Sequence, residues 1–208
     1  MWFDTSLAEF RVQLAQLEKA GAKPISLAAL ERWLTLGTKP PPPGAVVLCF
    51  DDNTRGIYEH AFPELQKRGW PFVVSVHTAF VGVTTGKAHC TWEQLQAMAQ
   101  GGATLVSQTH SHPPDLRLFP DTRLDKELML SKASLKKHLG IAPRCITYPS
   151  GKWDARVAMA AQHAGYVLGL TEDFGYAERS PHLLGLKRFS THRRWSEALA
   201  AIKRSART

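Results

Sequence analysis

The sequence predicts an α/β protein with parallel strands, arranged either as a barrel or as an open doubly wound sheet. Short apolar runs typical of strands alternate with amphipathic segments of helical length along most of the 208 residues. Polar and titratable residues follow the ends of several of these runs, as they do at the carboxyl edge of a parallel sheet. Hydrophobic residues make up 44% and charged residues 21% of the chain, which is typical of a globular protein with a large core.

The first 44 residues predict a helical lead-in to this alternating pattern. Ser6-Leu7-Ala8-Glu9 is a capping box that opens a first helix, which should end near Gly21. A second short helix is expected over Ser26–Leu36, and the proline run Pro40–Pro43 forms a stiff connector. We interpret the chain as one domain, residues 1–208, with residues 1–44 as its lead-in.

The alternating elements follow from residue 45 onward. Strands are predicted at Ala45–Phe50, Pro71–Val76, Ala103–Ser107, Arg144–Tyr148, Tyr166–Leu170 and Leu186–Ser190. Helices are predicted at Ile57–Arg68, Thr91–Gln100, Asp121–Leu139, Asp154–Ala164 and Ser196–Lys203.

Several classes of protein lose support from composition and motifs. The chain has no GxGxxG or GxxxxGK motif, no apolar run near the roughly 20 residues that span a bilayer, and no leader-like Met1–Thr5. Its 3 cysteines are far apart, which argues against disulfides and a zinc ribbon. The net charge of +8 predicts a solvated basic face or attraction to an anionic polymer. Nucleic acid is the weaker partner, because no nucleic-acid motif accompanies the charge.

The most informative segment is Phe50-Asp51-Asp52-Asn53, in which an apolar strand ends in two adjacent carboxylates. Like charges repel, and burial makes each charge more costly, so such a pair suggests a bound cation or a reacting proton. The alternative is that one Asp caps the following helix while the other faces water.

A second polar segment follows the third long strand and contains His110 and His112. These two imidazoles and the Asp52 carboxylate could converge on one cation at the shared edge of the sheet. Nitrogen, nitrogen and oxygen donors suit zinc or a similar divalent ion, with a coordination position left for water.

Three motifs in this order resemble the polysaccharide deacetylases, the NodB-homology proteins of carbohydrate esterase family 4. They are Phe50-Asp51-Asp52, Thr109-His110-Ser111-His112-Pro113 and Tyr148-Pro149-Ser150-Gly151. The resemblance implies a distorted (β/α)7-type barrel and metal-assisted removal of N- or O-linked acetyl groups from glycans. The implied cofactor is a divalent metal, most often zinc, with nickel or cobalt as alternatives.

The resemblance also implies a role for each matching residue. Asp51 matches the general base, Asp52 the metal-binding carboxylate and His112 the second metal histidine. Ser150 falls where the family holds the oxyanion with a backbone N–H. His192, after the last strand, is a candidate acid for the leaving amine, and an exposed loop histidine is the alternative interpretation.

Three positions depart from the family pattern. Gln108 stands where the first metal histidine is expected, so either Gln108 binds the metal weakly, or His110 replaces it, or metal binding is impaired. Asn53 replaces the usual glycine after the Asp pair, and Asn tolerates left-handed backbone. The slot of an arginine that orients the base holds a threonine, so Arg144 or Arg188 would have to serve.

The leading hypothesis is therefore a metal-dependent deacetylase that acts on an acetylated polysaccharide of the cell envelope. One alternative is a degenerate, glycan-binding relative, which Gln108 motivates. A further alternative is an amidohydrolase of the same fold that acts on a small amide. The family resemblance favours an extracytoplasmic location, although no signal peptide is recognised, and the oligomeric state is left open.

Overall fold

The computed structural model describes residues 5–207, which form an α/β fold of alternating strands and helices. Residues 1–4, on which most of the signal-peptide prediction rests, and residue 208 lie outside the described part. The strands are β1 (Lys23–Pro24), β2 (Ala45–Val46), β3 (Leu48–Phe50), β4 (Phe72–Val76), β5 (Ala103–Ser107), β6 (Cys145–Thr147), β7 (Leu168–Phe174) and β8 (Leu186–Arg188). The α-helices are α1 (Leu7–Lys19), α2 (Leu27–Leu36), α3 (Phe62–Lys67), α4 (Trp92–Gln100), α5 (Asp121–Leu139), α6 (Ala155–His163) and α7 (Thr191–Ser205).

The main sheet contains six parallel strands in the order β3-β4-β5-β6-β7-β8, so each strand pairs with the next one along the chain. Parallel neighbours need crossover connections, and α3 to α6 supply most of them. The sheet curls into a half-barrel whose edge strands are β3 and β8. The predicted fold class is confirmed, and six strands form the main sheet where the seven-strand pattern was expected.

Burial explains why the strand segments were recognisable. Every residue of β4 is buried, in keeping with the apolar runs of parallel strands that are covered on both faces. One polar residue, Ser75, interrupts that run and has no accessible surface. Buried polar groups require hydrogen-bond partners, and the partners of Ser75 lie at the candidate site.

The lead-in contains β1, which forms a separate two-stranded sheet with β2. These two strands pair in parallel, and β2 leads directly into β3. The backbone of Gly44 approaches Gly21 so closely that a Cβ at position 44 would lie 2.3 Å from the Gly21 carbonyl oxygen. Glycine is therefore required at this crossing, where its φ is also positive, at 80°.

The loops that follow β3 and β5 contain unusual backbone conformations. Asp52, Asn53, Thr109 and His112 all have positive φ, at 70°, 36°, 66° and 51°. Non-glycine residues in this region cost roughly 1–3 kcal/mol each and persist only where surrounding contacts hold them. Such strain clusters at functional sites, so it indicates a candidate site at the carboxyl edge of β3 and β5. Among residues 5–207 no helix has the length and apolarity that a membrane crossing needs.

Candidate active site

Asp51 follows β3 and is paired with an arginine from the opposite edge of the sheet. Arg188, the last residue of β8, donates from Nη1 to Asp51 Oδ1 and from Nη2 to Oδ2, both at 3.0 Å. Arg188 Nε donates to the Thr171 carbonyl oxygen at 2.7 Å, which fixes the plane of the guanidinium. The two parallel bonds orient the carboxylate, as bidentate arginine pairs do.

Ser75 provides a further hydrogen bond to the same carboxylate. Its Oγ donates to Asp51 Oδ1 at 3.0 Å and lies 2.7 Å from Thr147 Oγ1. Burial raises the pKa of Asp51, but the charge and hydrogen bonds of Arg188 and the bond from Ser75 outweigh it and hold this pKa below its usual range. Asp51 is therefore a carboxylate at neutral pH, and its hydrogen bonds to Arg188 and Ser75 fix its orientation.

Asp52 and Asn53 form the left-handed turn that separates the two acidic side chains. The Asn53 side chain is fully buried, and its Oδ1 accepts the backbone N–H of His77 at 3.1 Å. The Asn53 N–H donates to the Ser75 carbonyl oxygen at 3.1 Å. Asn53 thus serves as more than a substitute for glycine, because its side chain fastens the turn to the end of β4. The prediction that Asn permits the turn agrees with this geometry.

Gln108, directly after β5, makes the closest contacts to Asp52. The Asp52 backbone N–H donates to Gln108 Oε1 at 2.8 Å, and Gln108 Nε2 donates to Asp52 Oδ1 at 3.1 Å. Gln108 Nε2 also lies 3.3 Å from His112 Nε2. Asp52 Oδ1 and His112 Nε2 are 3.5 Å apart. Three of the four predicted metal residues, Asp52, Gln108 and His112, therefore form one hydrogen-bonded group.

The fourth predicted ligand, His110, has other partners. Its Nδ1 lies 2.9 Å from Thr78 Oγ1, and its backbone N–H donates to Glu127 Oε2 at 3.1 Å. Within residues 5–207 no three His, Cys, Asp or Glu side chains converge in a way that could hold a metal ion. Asp52 and His112 supply two donors, and Gln108 turns its amide nitrogen, which cannot coordinate, toward them. This donor set does not fit a tightly bound divalent ion.

Glu127 of α5 holds the loop that carries the two histidines. Glu127 is buried, and its carboxylate accepts bonds from the backbone N–H of Ser111 at 2.8 Å and from Ser111 Oγ at 2.5 Å, in addition to the His110 N–H. The His112 N–H donates to Thr109 Oγ1 at 3.2 Å. These bonds stabilise the two left-handed residues of the loop and so determine where the His112 ring lies.

His77 lies beneath the Asp52 turn as a neutral imidazole. Its Nε2 lies 2.9 Å from the Asp52 carbonyl oxygen, which can only accept, so Nε2 carries the proton. Burial, followed by the neighbouring His112, lowers the pKa of His77 to about 3. His77 therefore supports the turn as a hydrogen-bond donor and does not add positive charge to the site.

The predicted oxyanion and acid residues flank this centre. Ser150 has a φ of 53° in a short turn, where a Cβ on the adjacent Gly151 would lie 2.4 Å from the Glu172 backbone nitrogen. Ser150 lines a groove that meets, at Glu172, the larger groove containing Asp51 and Asp52. His192 lines that larger groove from the first turn of α7, and its Nδ1 lies 2.9 Å from Ser190 Oγ. The catalytic roles of Ser150 and His192 stay predictions.

The structure decides between the two arginines that the sequence left open. Arg188 binds Asp51, whereas Arg144 pairs with Glu31 at 2.7 Å, away from the rim. Sequence reasoning missed Ser75 and Glu127. Their signals were a single polar residue in the apolar run of β4, and an acid on the buried face of α5, three residues after Leu124.

The half-barrel and its paired acidic rim define a class of α/β protein with a candidate hydrolytic centre at the carboxyl edge of its strands. Comparison with known proteins then identifies the family: residues 38–169 match the sequence profile of the polysaccharide deacetylases. The chain belongs to this family, whose members are generally metal-dependent.

Individual relatives agree with this assignment. The Bacillus subtilis protein YxkH, provisionally named as a polysaccharide deacetylase, is 29% identical over 181 residues, which are 86% of this chain and 63% of YxkH. The poly-beta-1,6-N-acetyl-D-glucosamine N-deacetylase of Escherichia coli K12 is 33% identical over 102 residues, 43% of this chain and 15% of that protein. The chain thus spans less than two thirds of either curated relative. The structure of IcaB from Ammonifex degensii superposes with a TM-score of 0.86 at 27% identity, covering 95% of this chain and 89% of that one.

Proposed function

We propose that this chain hydrolyses the acetamido group of N-acetylated amino sugars within a polysaccharide. The observation that carries the proposal is the Asp51 carboxylate, held by Arg188 and Ser75 at the rim of a family fold and open to a groove. The side chain of Asp51 is 32% exposed, so a water molecule can reach it. The similarity to an N-deacetylase of poly-N-acetylglucosamine supports an amide rather than an ester as the bond cleaved.

In this mechanism Asp51 acts as the general base. Among the described contacts Oδ1 accepts from both Arg188 and Ser75, whereas Oδ2 accepts from Arg188 alone. Oδ2 is therefore the oxygen with acceptor capacity left for a water molecule. Proton transfer to Asp51 lets the water oxygen attack the acetyl carbon, and cleavage of the C–N bond then gives acetate and a free amine.

Two further groups complete the proposed chemistry. The backbone N–H of Ser150 is the proposed donor to the oxyanion, in line with the tight turn that fixes its position. His192, exposed in the same groove as Asp51, is the proposed donor of a proton to the leaving nitrogen. A family metal would supply Lewis-acid polarisation of the acetyl carbonyl, but the donor set described above does not fit one, and no step here depends on it.

The experiment is acetate release from an oligomer of N-acetylglucosamine by the wild-type chain and by Asp51→Asn. The substitution retains the size of the side chain and removes its basicity, so we expect a loss of roughly 100-fold or more in kcat/KM. Asp125→Asn, at an exposed position on α5, is the matched control and should retain full activity.

Two outcomes would contradict the proposal. The first is unchanged acetate release by Asp51→Asn, and the second is release from the N-acetylglucosamine monomer alone, which would favour a small-amide hydrolase. The cell envelope as the source of the substrate stays a prediction. Acetate release from isolated envelope polysaccharide would support it, and release only from unrelated glycans would contradict it.

A further inference from the structure

We propose that Gln108 occupies the place of a metal ligand without acting as one. Its carboxamide joins Asp52 to His112 by hydrogen bonds, so that the chain has only weak affinity for divalent cations. The inference rests on the proposed function for the identity of the site. Its evidence is the geometry of the three side chains.

Both polar atoms of the Gln108 carboxamide have partners at the site. Oε1 accepts the Asp52 N–H at 2.8 Å. Nε2 donates to Asp52 Oδ1 at 3.1 Å and lies 3.3 Å from His112 Nε2, for which its second N–H is the available donor. The amide nitrogen thus lies within 3.3 Å of both atoms that would coordinate a cation, and an amide NH₂ nitrogen has no lone pair to offer one.

The neighbouring groups fix the direction in which the amide points. A backbone N–H can only donate, so the atom of Gln108 that faces the Asp52 N–H must be Oε1. Turning the amide by 180° would place NH₂ against this N–H and Oε1 against the Asp52 carboxylate. Both new contacts would be repulsive, and the Asp52 N–H would lose its acceptor.

Burial makes that reorientation costly. Gln108 is only 2% exposed as a residue, so water has little access to replace the bonds that a turn of the amide would break. The Asp52 side chain is 48% exposed and the His112 side chain 28% exposed, so both donors are open to solvent while Gln108 is not. A cation can therefore reach Asp52 and His112 but would gain Gln108 as a ligand only by disrupting this network.

The arrangement also specifies the state of His112. In the proposed network Gln108 Nε2 donates and His112 Nε2 accepts, which places the ring proton of the neutral imidazole on Nδ1. The hydrogen bond from Gln108 therefore predicts a proton on Nδ1 of His112. Without that bond, either ring nitrogen of the neutral imidazole could carry the proton.

The test compares the wild-type chain with Gln108→His, which adds the third strong ligand. We expect the affinity for Co²⁺, followed by its visible absorption bands, to be at least roughly 100-fold higher in Gln108→His. Even outer contacts to a ligand change metal affinity by about 10–100-fold, so an inner ligand should change it by more. After dialysis against Zn²⁺ buffered at low free concentration, elemental analysis should find about one zinc per chain in the variant and very little in the wild type.

Gln66→His is the matched control, because it makes the same change at an exposed position on α3. It should bind metal as the wild type does. Adding His112→Ala to Gln108→His should remove the new site, which separates it from binding to the 9 native histidines. Equal metal affinity in the wild type and Gln108→His, or one zinc retained by the wild type, would overturn the proposal.

A measurement on the wild type alone keeps the inference testable if Gln108→His fails to fold. Nitrogen-15 NMR at a pH where the ring is neutral should find the His112 proton on Nδ1 and no change when Zn²⁺ is added in slight excess. A proton on Nε2, or a large zinc-induced shift of its resonance, would contradict the proposal. Neither metal analysis nor NMR depends on acetate release, so a failure of the proposed function would be recognised separately.

Discussion

Asp51 and Asp52 are adjacent in the chain, yet their surroundings are opposite in kind. Asp51 faces a guanidinium and a hydroxyl, and its charge is neutralised by the bidentate bonds of Arg188. Asp52 turns away through a left-handed backbone and meets a neutral amide and an imidazole. The turn at Asp52 and Asn53 therefore places one carboxylate of the acidic pair against a cationic partner and the other against a neutral amide, and we call these surroundings the Asp51 half-site and the Asp52 half-site.

The comparison shows that the chain's own residues supply every partner that Asp51 needs as a base, but not the ligands that Asp52 would need in a metal site. The Asp51 half-site has its counter-charge and its orienting bonds, and the pKa of Asp51 is held low by them against the effect of burial. In the Asp52 half-site Gln108 replaces the charge-bearing or strongly donating partner that a metal centre requires. The proposed base is thus ionised and oriented by its neighbours, whereas the groups at the proposed metal position are hydrogen-bonded to one another.

The largest effect should come from removing the counter-charge of the Asp51 half-site. Arg188→Met would leave a partly buried carboxylate without its partner, and we expect a loss of about 2 kcal/mol in the free energy of unfolding. Acetate release should fall by roughly 100-fold or more, because the base loses its orientation. Chemical denaturation and initial rates measure the two effects.

Arg144→Met provides the contrast for this experiment. Arg144 pairs with Glu31, but its side chain is 63% exposed, so the expected change is below about 0.5 kcal/mol with unchanged activity. Arg188→Lys retains the charge but not the two parallel bonds, and its activity should lie between those of the wild type and Arg188→Met. Equal stability losses in the two methionine variants would refute the distinction between the half-sites.

A smaller effect is expected from the loop of the Asp52 half-site. Glu127→Gln retains shape but cannot accept all three bonds from Ser111 and His110, so about 1–2 kcal/mol of stability should be lost. Because the His112 loop then loosens, its NMR signals should broaden. Glu197→Gln, exposed on α7, is the control and should change neither quantity. Unchanged His112 signals in Glu127→Gln would show that the loop does not need Glu127 to keep its conformation.

The smallest effect concerns pH. A depressed carboxyl pKa in the folded state adds stability above the unfolded value, and this is lost as pH falls through the folded pKa. Asp51 should therefore contribute no pH dependence to stability or activity between about pH 5 and 8. In Arg188→Met the arginine no longer lowers the pKa of Asp51, and burial raises it. The acid limb of the activity profile should therefore move to higher pH. Carbon-13 NMR of Asp51 would check the direction, and an unmoved carboxyl titration would contradict it.

Much of the rim was predictable from the sequence because parallel strands share one carboxyl edge. The apolar run that ends at Asp51 and the run that ends at Gln108 place both residues there. The choice of Arg188 over Arg144 follows from the same rule. Arg188 ends β8, whereas Arg144 precedes β6 and so belongs to the opposite edge.

Other features could not be read from the sequence. The direction of the Gln108 amide depends on the backbone N–H of Asp52, which reaches it only because Asp52 adopts a left-handed conformation. The pairing of β1 with β2 was also missed, because two-residue strands are too short to carry a period. Both features depend on contacts between segments far apart in the chain.

The ion pair between Asp51 and Arg188 has a consequence for the order in which the proposed active site is assembled during synthesis. The two residues are 137 positions apart and belong to the first and last strands of the main sheet. Since every strand pairs with its successor, a growing chain can add strands one by one from β3 onward. The base would remain without its arginine until β8 has left the ribosome. A chain that ends before β8 would therefore lack the bidentate partner of Asp51 even where the earlier strands have paired.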